Sequence, residues 1–120
     1  MKRSDFVSLN CDLNPSSFHL MGRVEFRRMR RSAYLINTAR GPVVNEEELI
    51  QSLQRGEIAG AALDVFEEEP LPRTSFLRGM SNVILSSHNS NSSPMYREKV
   101  HERSIKLLIE HLSPPREVIM

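Results

Sequence analysis

The sequence lacks the features that mark secreted, membrane-spanning and polyanion-binding proteins. It has a single cysteine, Cys11, which excludes an internal disulfide and fits a reducing compartment. No apolar run approaches the roughly 18 residues that a membrane-spanning helix needs. The formal net charge is only +1, which argues against nucleic acid as the default partner. The basic amino terminus is not followed by a long apolar segment, so we expect no secretory signal and a cytoplasmic location.

Apolar and polar residues do alternate, in blocks that predict four strands and three helices. The strands are near-continuous apolar runs at 5–11, 33–39, 58–66 and 82–87, and the helices are expected at 21–30, 45–56 and 94–112. Asn45 is expected to cap the second helix, with Glu48 in the capping-box position. Strands that alternate with helices indicate an α/β fold, a parallel sheet with helices on both faces. We expect one domain at 1–112 and a tail at 113–120.

Functional residues of an open parallel sheet are expected just beyond the carboxyl ends of its strands, where such sheets bind ligands. Four groups of residues occupy those positions here. They are Cys11 and Asp12 after the first strand, Thr38, Ala39 and Arg40 after the second, Asp64 and Glu67–Glu69 at the third, and His88 after the fourth. An arginine, several carboxylates and a histidine are therefore expected to converge on one rim from separate strands.

The chemistry of these groups suits one class of reaction. A guanidinium binds a carboxylate through two parallel hydrogen bonds. An imidazole removes a proton from a hydroxyl or returns one to a carbonyl, and a neighbouring carboxylate orients the imidazole. Together they fit the interconversion of a 2-hydroxy acid and a 2-oxo acid, with a nicotinamide cofactor taking the hydride. The simpler alternatives are a surface salt bridge for Arg40 and a loop histidine for His88.

One long stretch, LINTARGPVVNEEELIQSLQRGEIAGAALDVFEEEPLP at 35–72, resembles the carboxyl-terminal half of the coenzyme domain of D-isomer-specific 2-hydroxyacid dehydrogenases. The resemblance extends over about residues 4–112. It implies that Arg40 binds the substrate carboxylate, that His88 is the catalytic histidine, and that Glu69 pairs with that histidine. The other two glutamates of the acidic run are expected to be solvated.

The same resemblance implies a cofactor, NAD or NADP, near the strand ends. Asp64 resembles the aspartate that contacts the nicotinamide carboxamide. The other residues that the resemblance places near the dinucleotide are Cys11, Asp12, Thr38, Ala39 and Arg40. No metal is expected, because His19, His101 and His111 show no metal-like spacing, and we interpret them as surface residues. Cys11 also fits a small buried hydrophobe.

The sequence departs from the family pattern in three places. The stretch SSHNSNSS stands where the family usually has Thr-Pro-His followed by apolar and small residues, and Asp12 stands where it often has proline. None of the five glycines shows the G-x-G-x-x-G spacing of the turn that holds the pyrophosphate. We therefore expect half of a Rossmann-type doubly wound domain, which begins within a longer domain and is inactive alone. The strand that discriminates NAD from NADP is missing as well.

Three hypotheses about function remain open, and they differ in the partner. The chain is a piece of a dehydrogenase that needs a separate amino-terminal half, or a non-catalytic self-associating module or relic, or a nucleic-acid binder. For self-association we expect a homodimer, joined through the exposed edge of strand 5–11 or through helix surfaces that the missing half uncovers. No membrane partner is expected. The basic cluster, which we interpret as a solvated helix face because no base-reading motif accompanies it, comprises Arg23, Arg27, Arg28, Arg30 and Arg31.

Overall fold

The computed structural model of the chain describes residues 2–90 and 92–112, in two compact units, Met1–Asn89 and Ser90–Met120. The first unit holds strands β1 (Phe6–Leu9), β2 (Tyr34–Asn37), β3 (Gly60–Leu63) and β4 (Val83–Leu85), with helix α1 (Arg23–Arg28) after β1 and helix α2 (Glu46–Gln54) after β2. The second unit holds helix α3 (Pro94–Leu112). The predicted domain limits of 1–112 stay a prediction, and the predicted tail at 113–120 lies outside the described residues.

The four strands form one parallel sheet in the order β1-β2-β3-β4, which confirms the predicted sheet. At the carboxyl ends Leu9 pairs with Asn37, and Asn37 pairs with Leu63. Leu63 in turn pairs with Leu85, so all four strands end at the same level. Each strand has three or four residues, fewer than its apolar run, because the ladder stops at that level and the chain turns away. The residues that follow the strands therefore meet at one rim.

An apolar core lies between the sheet and the two helices of the first unit. Its buried apolar side chains from the sheet are Leu9, Leu35, Ala61 and Leu63. Phe26 of α1 and Leu49 of α2 join the same cluster, and they are 0% and 1% exposed. Burial of a side chain of this size contributes roughly 1.5–3 kcal/mol, so the core fixes both helices on the sheet.

Helix α2 begins at its predicted cap. Oδ1 of Asn45 accepts a hydrogen bond from the Glu48 N–H at 3.0 Å. The second half of the capping box is not formed, because the Asn45 N–H donates to the Met21 carbonyl at 2.9 Å. A tertiary contact thus takes the amide that an isolated helix would offer to the Glu48 side chain. The apolar side of α2 faces the core, since Leu49 and Leu53 are buried and Ile50 is partly buried and packs against the same cluster.

The opposite face of the sheet carries exposed side chains. Phe6, Tyr34 and Ile84 are 66%, 45% and 72% exposed, and the rings of Phe6 and Tyr34 stack with their centroids 5.8 Å apart. The strands follow one another across the sheet in sequence order, and right-handed crossovers then place α1 and α2 on the same side. Within this unit the predicted helix cover is therefore present on one face of the sheet.

Helix α3 spans the residues that the apolar pattern predicts, Pro94–Leu112. The Ser93 carbonyl begins it by accepting from the N–H groups of Tyr96 and Arg97 at 3.1 and 3.0 Å. No residue of α3 is buried, and its exposed large apolar side chains are Met95, Tyr96, Val100, Ile105, Leu107, Leu108, Ile109 and Leu112. Among the described residues, no helix combines the length and the apolar character needed to cross a membrane.

Candidate active site

The turn after β2 is organised by Asn37, the last residue of that strand. Its side chain is buried, and it bonds two backbone groups of the turn. Nδ2 donates to the Arg40 carbonyl at 3.0 Å, and Oδ1 accepts from the Ala39 N–H at 3.1 Å. Arg40 is thereby held at the rim, where it is exposed and its Nη1 donates to the Ala39 carbonyl at 2.6 Å. A buried amide that satisfies both backbone groups makes this turn specific and rigid.

Gly41 seats this turn against the loop that follows β3. A Cβ atom on Gly41 would overlap the carbonyl carbon and oxygen of Phe66, and it would lie 2.6 Å from the Glu67 nitrogen. Only a residue without a side chain allows two main chains to approach so closely. The Arg40 turn and the Phe66–Glu67 peptide are therefore fixed relative to each other by main-chain contact.

His88 and Glu69 form a hydrogen-bonded pair. The Nδ1 atom of His88 lies 2.8 Å from Oε2 of Glu69, and the two side chains are 46% and 36% exposed. Oε1 of Glu69 accepts from the Phe66 N–H at 3.0 Å, which fixes the carboxylate as it faces the histidine. His88 has a φ of 55°, a left-handed conformation that is uncommon outside glycine. Backbone strain of this kind clusters at functional sites, where surrounding contacts hold it.

Asp64 links the end of β3 to the turn that carries His88. Its side chain is buried, and Oδ1 accepts from the Asn89 N–H at 2.9 Å. Its own N–H donates to the Asn37 carbonyl at 3.0 Å. Asp64, for which the resemblance implies a nicotinamide contact, is therefore hydrogen-bonded to Asn37 at the end of β2 and to Asn89, the residue after His88.

The pairing of Glu69 keeps its carboxyl group charged and predicts a dependence of stability on pH. The hydrogen bond from His88, followed by the one from the Phe66 N–H, lowers the pKa of Glu69 below its ordinary value of 4.5. A carboxyl group with a lowered pKa in the folded state contributes stability that is present above pH 4.5 and lost as the pH falls below it. Because both side chains are at least a third exposed, we expect a small contribution.

Thermal melts of the protein and of its Glu69→Gln variant, between about pH 3 and pH 7, check this prediction. The gap between the two melting temperatures should narrow as the pH falls below 4.5. Melting curves that keep a constant gap over the whole range would contradict it.

Two cavities open among the rim residues, and they divide the predicted site. Glu69 and His88 line a cavity of about 540 Å³. Arg40 lines a second cavity of about 480 Å³, together with Cys11, Asp12, Thr38 and Ala39. The structure thus brings the histidine and its glutamate together, and it places the arginine among the residues that the resemblance puts near the dinucleotide. Cys11 is half-buried and packs against the core beside this second cavity.

The sequence does not predict two features of this region. Asn37 lies within a recognised motif, but only its burial in the sheet shows that it closes the Arg40 turn. His19 is expected to be a surface residue and Glu67 a solvated one, yet Nε2 of His19 lies 3.0 Å from Oε1 of Glu67. The two residues are far apart in the chain, so no spacing rule indicates the contact.

The donor set fits one end of a dinucleotide. Asp12, Thr38 and Arg40 offer a carboxylate, a hydroxyl and a guanidinium around one cavity, which suits the polar groups of a nicotinamide riboside. The sequence has no glycine-rich turn that would hold the pyrophosphate. The residues of this chain therefore fit the nicotinamide end of the cofactor and not its pyrophosphate. Among the described residues, no cluster of histidine, cysteine and carboxylate side chains is placed to hold a metal ion.

A parallel sheet with polar residues gathered beyond the carboxyl ends of its strands is a Rossmann-type arrangement, the class to which nucleotide-binding α/β proteins belong. The family model described as D-isomer specific 2-hydroxyacid dehydrogenase, NAD binding domain, matches residues 1–90. The chain belongs to this family of NAD-binding domains.

Individual relatives agree with the family assignment. A glyoxylate reductase of Thermofilum pendens is 44% identical over 109 residues, which are 91% of this chain and 32% of that protein. A D-isomer specific 2-hydroxyacid dehydrogenase from Xanthobacter autotrophicus Py2, solved in complex with NADPH and MES, is 38% identical with a TM-score of 0.78, and the match covers 92% of this chain and 36% of that one. The NAD-complexed enzyme from Lactobacillus delbrueckii ssp. bulgaricus is 33% identical with a TM-score of 0.74, over 98% of this chain and 40% of that one. The chain spans about a third of the length of the curated relatives it matches.

Proposed function

We propose that the chain supplies the substrate-binding and proton-transferring part of a 2-hydroxyacid dehydrogenase that uses NAD or NADP. The observation that carries this proposal is the pair of His88 and Glu69, with Nδ1 and Oε2 at 2.8 Å, on the rim that also presents Arg40. A positioned imidazole–carboxylate pair on a rim that also carries a guanidinium suits a substrate that has a carboxylate next to a hydroxyl or carbonyl group.

The roles follow from the atoms available. Arg40 binds the substrate carboxylate at the rim. Because Nδ1 of His88 faces Glu69, Nε2 is the ring nitrogen that exchanges a proton with the substrate oxygen. Glu69 orients the ring and stabilises its positive charge when the ring holds both protons. The nicotinamide, when bound, supplies or accepts the hydride.

The cofactor side of the site is proposed from the second cavity. Cys11, Asp12, Thr38 and Ala39, with Asp64 at the end of β3, are proposed to face the nicotinamide end. The glycine-rich turn for the pyrophosphate has to come from another polypeptide segment, because this sequence has none. We therefore propose that the chain does not turn over substrate unless such a segment is supplied.

A segment exchange tests this proposal. The matched part of the Thermofilum pendens glyoxylate reductase is replaced by the corresponding residues of this chain, and reduction of glyoxylate is followed with NADH and with NADPH. We expect turnover by the exchanged enzyme and none by the chain alone. The exchange is tolerable because the two sequences are 44% identical over 109 residues.

Two results would overturn the proposal. Calorimetry establishes in the first of them that the exchanged enzyme binds the cofactor. An exchanged enzyme that folds and binds the cofactor but does not turn over would show that these rim residues do not form a working site. Turnover of 2-oxo acids by the chain alone would show that no further segment is needed. Either outcome is read against the unmodified reductase measured under the same conditions.

We also propose that the chain self-associates through the outer edge of β1. The Asp5 carbonyl accepts from the Tyr34 N–H, so the backbone groups of Asp5 point toward β2. Alternate residues of a strand share a direction, so the backbone groups of Val7 also point toward β2, and those of Phe6 and Ser8 point outward. Among the described residues no strand pairs with this edge, and the outward Ser8 carbonyl accepts a long bond of 3.5 Å from Nδ2 of Asn10. Such an edge beside an exposed phenylalanine recruits another strand. A second copy brings the same edge, which pairs antiparallel with itself across a twofold axis.

The Ser8→Pro variant tests this interface, because proline removes an outward N–H without breaking the ladder to β2. We expect light scattering to give twice the mass of one chain for the native protein and a single mass for Ser8→Pro. Ser8→Ala, which loses the hydroxyl and keeps the N–H, is the matched control and should stay dimeric. A native protein that is monomeric, or a Ser8→Pro variant that stays dimeric, would contradict the proposal.

The nucleic-acid hypothesis has less support from the contacts of the basic residues. Arg30 Nη1 lies 2.7 Å from Asp5 Oδ1, and Arg27 Nε lies 3.4 Å from Glu57 Oε1. These arginines are partly neutralised by acidic neighbours from other elements, as expected for a solvated helix face. We therefore do not propose nucleic acid as a partner.

A further inference from the structure

His19, in the turn after β1, makes contacts that the proposed active site does not use. Nε2 of its ring lies 3.0 Å from Oε1 of Glu67, and Nδ1 lies 3.3 Å from Nδ2 of Asn45. The backbone is anchored too, because the His19 N–H donates to the Pro42 carbonyl at 2.8 Å. The residue has a φ of 49°, and its ring stacks on that of Phe18 with centroids 4.0 Å apart. Both ring nitrogens and the main chain are therefore engaged.

The hydrogen-bond network fixes which ring nitrogen carries the proton. Oδ1 of Asn45 accepts from the Glu48 N–H at 3.0 Å, so the Asn45 group that faces His19 is the amide nitrogen. An amide nitrogen only donates, and Nδ1 of His19 must therefore accept. Nε2 then carries the hydrogen and donates it to Glu67.

Glu67 is held from a second side by the first turn of α2. Its Oε1 also accepts from the Glu46 N–H at 2.8 Å, and the Glu67 N–H donates to Oε2 of Glu46 at 3.2 Å. Glu46 is thus the titratable group bonded to Glu67, and Glu68, the next residue after Glu67, adds negative charge near Glu46. Burial, with added repulsion from Glu67 and Glu68, raises the pKa of Glu46, which agrees with carboxylates crowded at this point.

The main chain of Phe66 and Glu67 is the place where the two parts of the proposed site meet. On one side the Phe66–Glu67 peptide is in close contact with Gly41, next to Arg40. On the other side the N–H of Phe66, in the preceding peptide, donates to Oε1 of Glu69, the partner of His88. Contacts that hold this main chain in place therefore act on both the Arg40 turn and Glu69.

We propose that His19 is a positioning residue, which through Glu67 holds the main chain of Phe66 and Glu67, against which the Arg40 turn packs and to which Glu69 is hydrogen-bonded. Its consequence for catalysis rests on the proposed function, but the geometric claim is independent of any cofactor or substrate. Loss of the hydrogen bond between His19 and Glu67 is expected to increase the local mobility of the loop after β3. It should also weaken the bond from the Phe66 N–H to Glu69. The fold as a whole should persist, because His19 is 31% exposed and lies outside the apolar core.

The variant His19→Phe tests this proposal, because it keeps a ring against Phe18 and removes both ring nitrogens. We expect amide hydrogen exchange at Phe66 to become about tenfold faster, because the net contribution of one hydrogen bond corresponds to about a tenfold change in the opening equilibrium. We also expect carboxyl NMR to show that the pKa of Glu69 moves upward toward its ordinary value. His101→Phe, the same change on exposed α3, is the matched control and should alter neither quantity.

A double-mutant cycle with Glu67→Met, which removes the acceptor oxygen, shows whether the two residues act as one unit. The effects of His19→Phe and Glu67→Met on Phe66 exchange should be strongly non-additive, because either change breaks the same contact. His19→Gln, whose amide is able to donate to Glu67, should restore part of the protection. If His19→Phe fails to fold, Glu67→Met alone is measured, because it removes the same contact from the other side.

Unchanged Phe66 exchange and an unchanged pKa of Glu69 in a folded variant that lacks the contact, His19→Phe or Glu67→Met, would overturn the proposal. Nitrogen NMR that finds Nε2 of His19 without its hydrogen at neutral pH would overturn it as well. All these measurements use the chain alone. Their failure therefore leaves the proposed function standing, and failure of the segment exchange leaves this contact standing.

Discussion

Replacing Gly41 with alanine is expected to lower the free energy of unfolding by about 3 kcal/mol, the upper end of the usual cost of overpacking. The added Cβ would overlap the carbonyl group of Phe66 and would lie 2.6 Å from the Glu67 nitrogen. These are main-chain atoms, which cannot move aside as a flexible side chain would. The loop that carries Glu69 therefore has to shift, and the main-chain contact that positions the Arg40 turn shifts with it.

Thermal melts measure this effect directly. A loss of about 3 kcal/mol corresponds to a fall of at least 12 °C or so in Tm for a domain of this size. Gly79→Ala is the matched control, because nothing lies within 4 Å of a Cβ atom there and its φ is ordinary. We expect that variant to melt within a few degrees of the native protein. Equal melting of the two variants would show that the close approach at Gly41 does not exist in solution.

Replacing His88 with glutamine in the exchanged reductase is expected to lower kcat by about 10²- to 10⁴-fold. Glutamine is able to keep a hydrogen bond to Glu69, but its amide does not exchange a proton with the substrate oxygen. The KM for the 2-oxo acid should change far less, because in the proposed function Arg40 binds the carboxylate and the imidazole does not.

Steady-state kinetics with 2-oxo acids checks this second prediction. The side chain of His88 is 46% exposed, so the substitution should leave the melting temperature nearly unchanged and isolate the chemical effect. His101→Gln, on exposed α3, is the control and should keep full activity. A His88→Gln enzyme with native kcat would show that the proton travels by another group.

The sheet and the rim were predictable because they follow from local patterns. The apolar runs at 5–11, 33–39, 58–66 and 82–87 predict strands, and the carboxyl ends of parallel strands lie on one edge of their sheet. The cap of α2 at Asn45 is a similarly local signal. The motifs around Arg40, Glu69 and His88 then predict an arginine, a glutamate and a histidine at that edge. In the structure Glu69 and His88 form the hydrogen bond that the resemblance implies.

The contacts that fix the rim were not predictable from local patterns. Gly41 against Phe66, and His19 against Glu67, join residues that are adjacent only after the loops fold over the sheet. Spacing along the chain carries no information about such pairs. The exposure of Phe6 on the open sheet face escaped prediction for a related reason, since a continuous apolar run looks the same whether one face of a strand or both are covered.

The contact between Gly41 and the Phe66–Glu67 peptide has a consequence for how this site is able to change. The spacing between the Arg40 turn and the loop that carries Glu69 is set by one main chain packed against another, so we expect it to vary less among relatives than a spacing set by side chains alone. The distance from carboxylate to reacting oxygen is constant among 2-hydroxy acids, whereas their third substituent varies. In the proposed function, this spacing matches the part that all such substrates share, and residues outside the rim discriminate among the substituents.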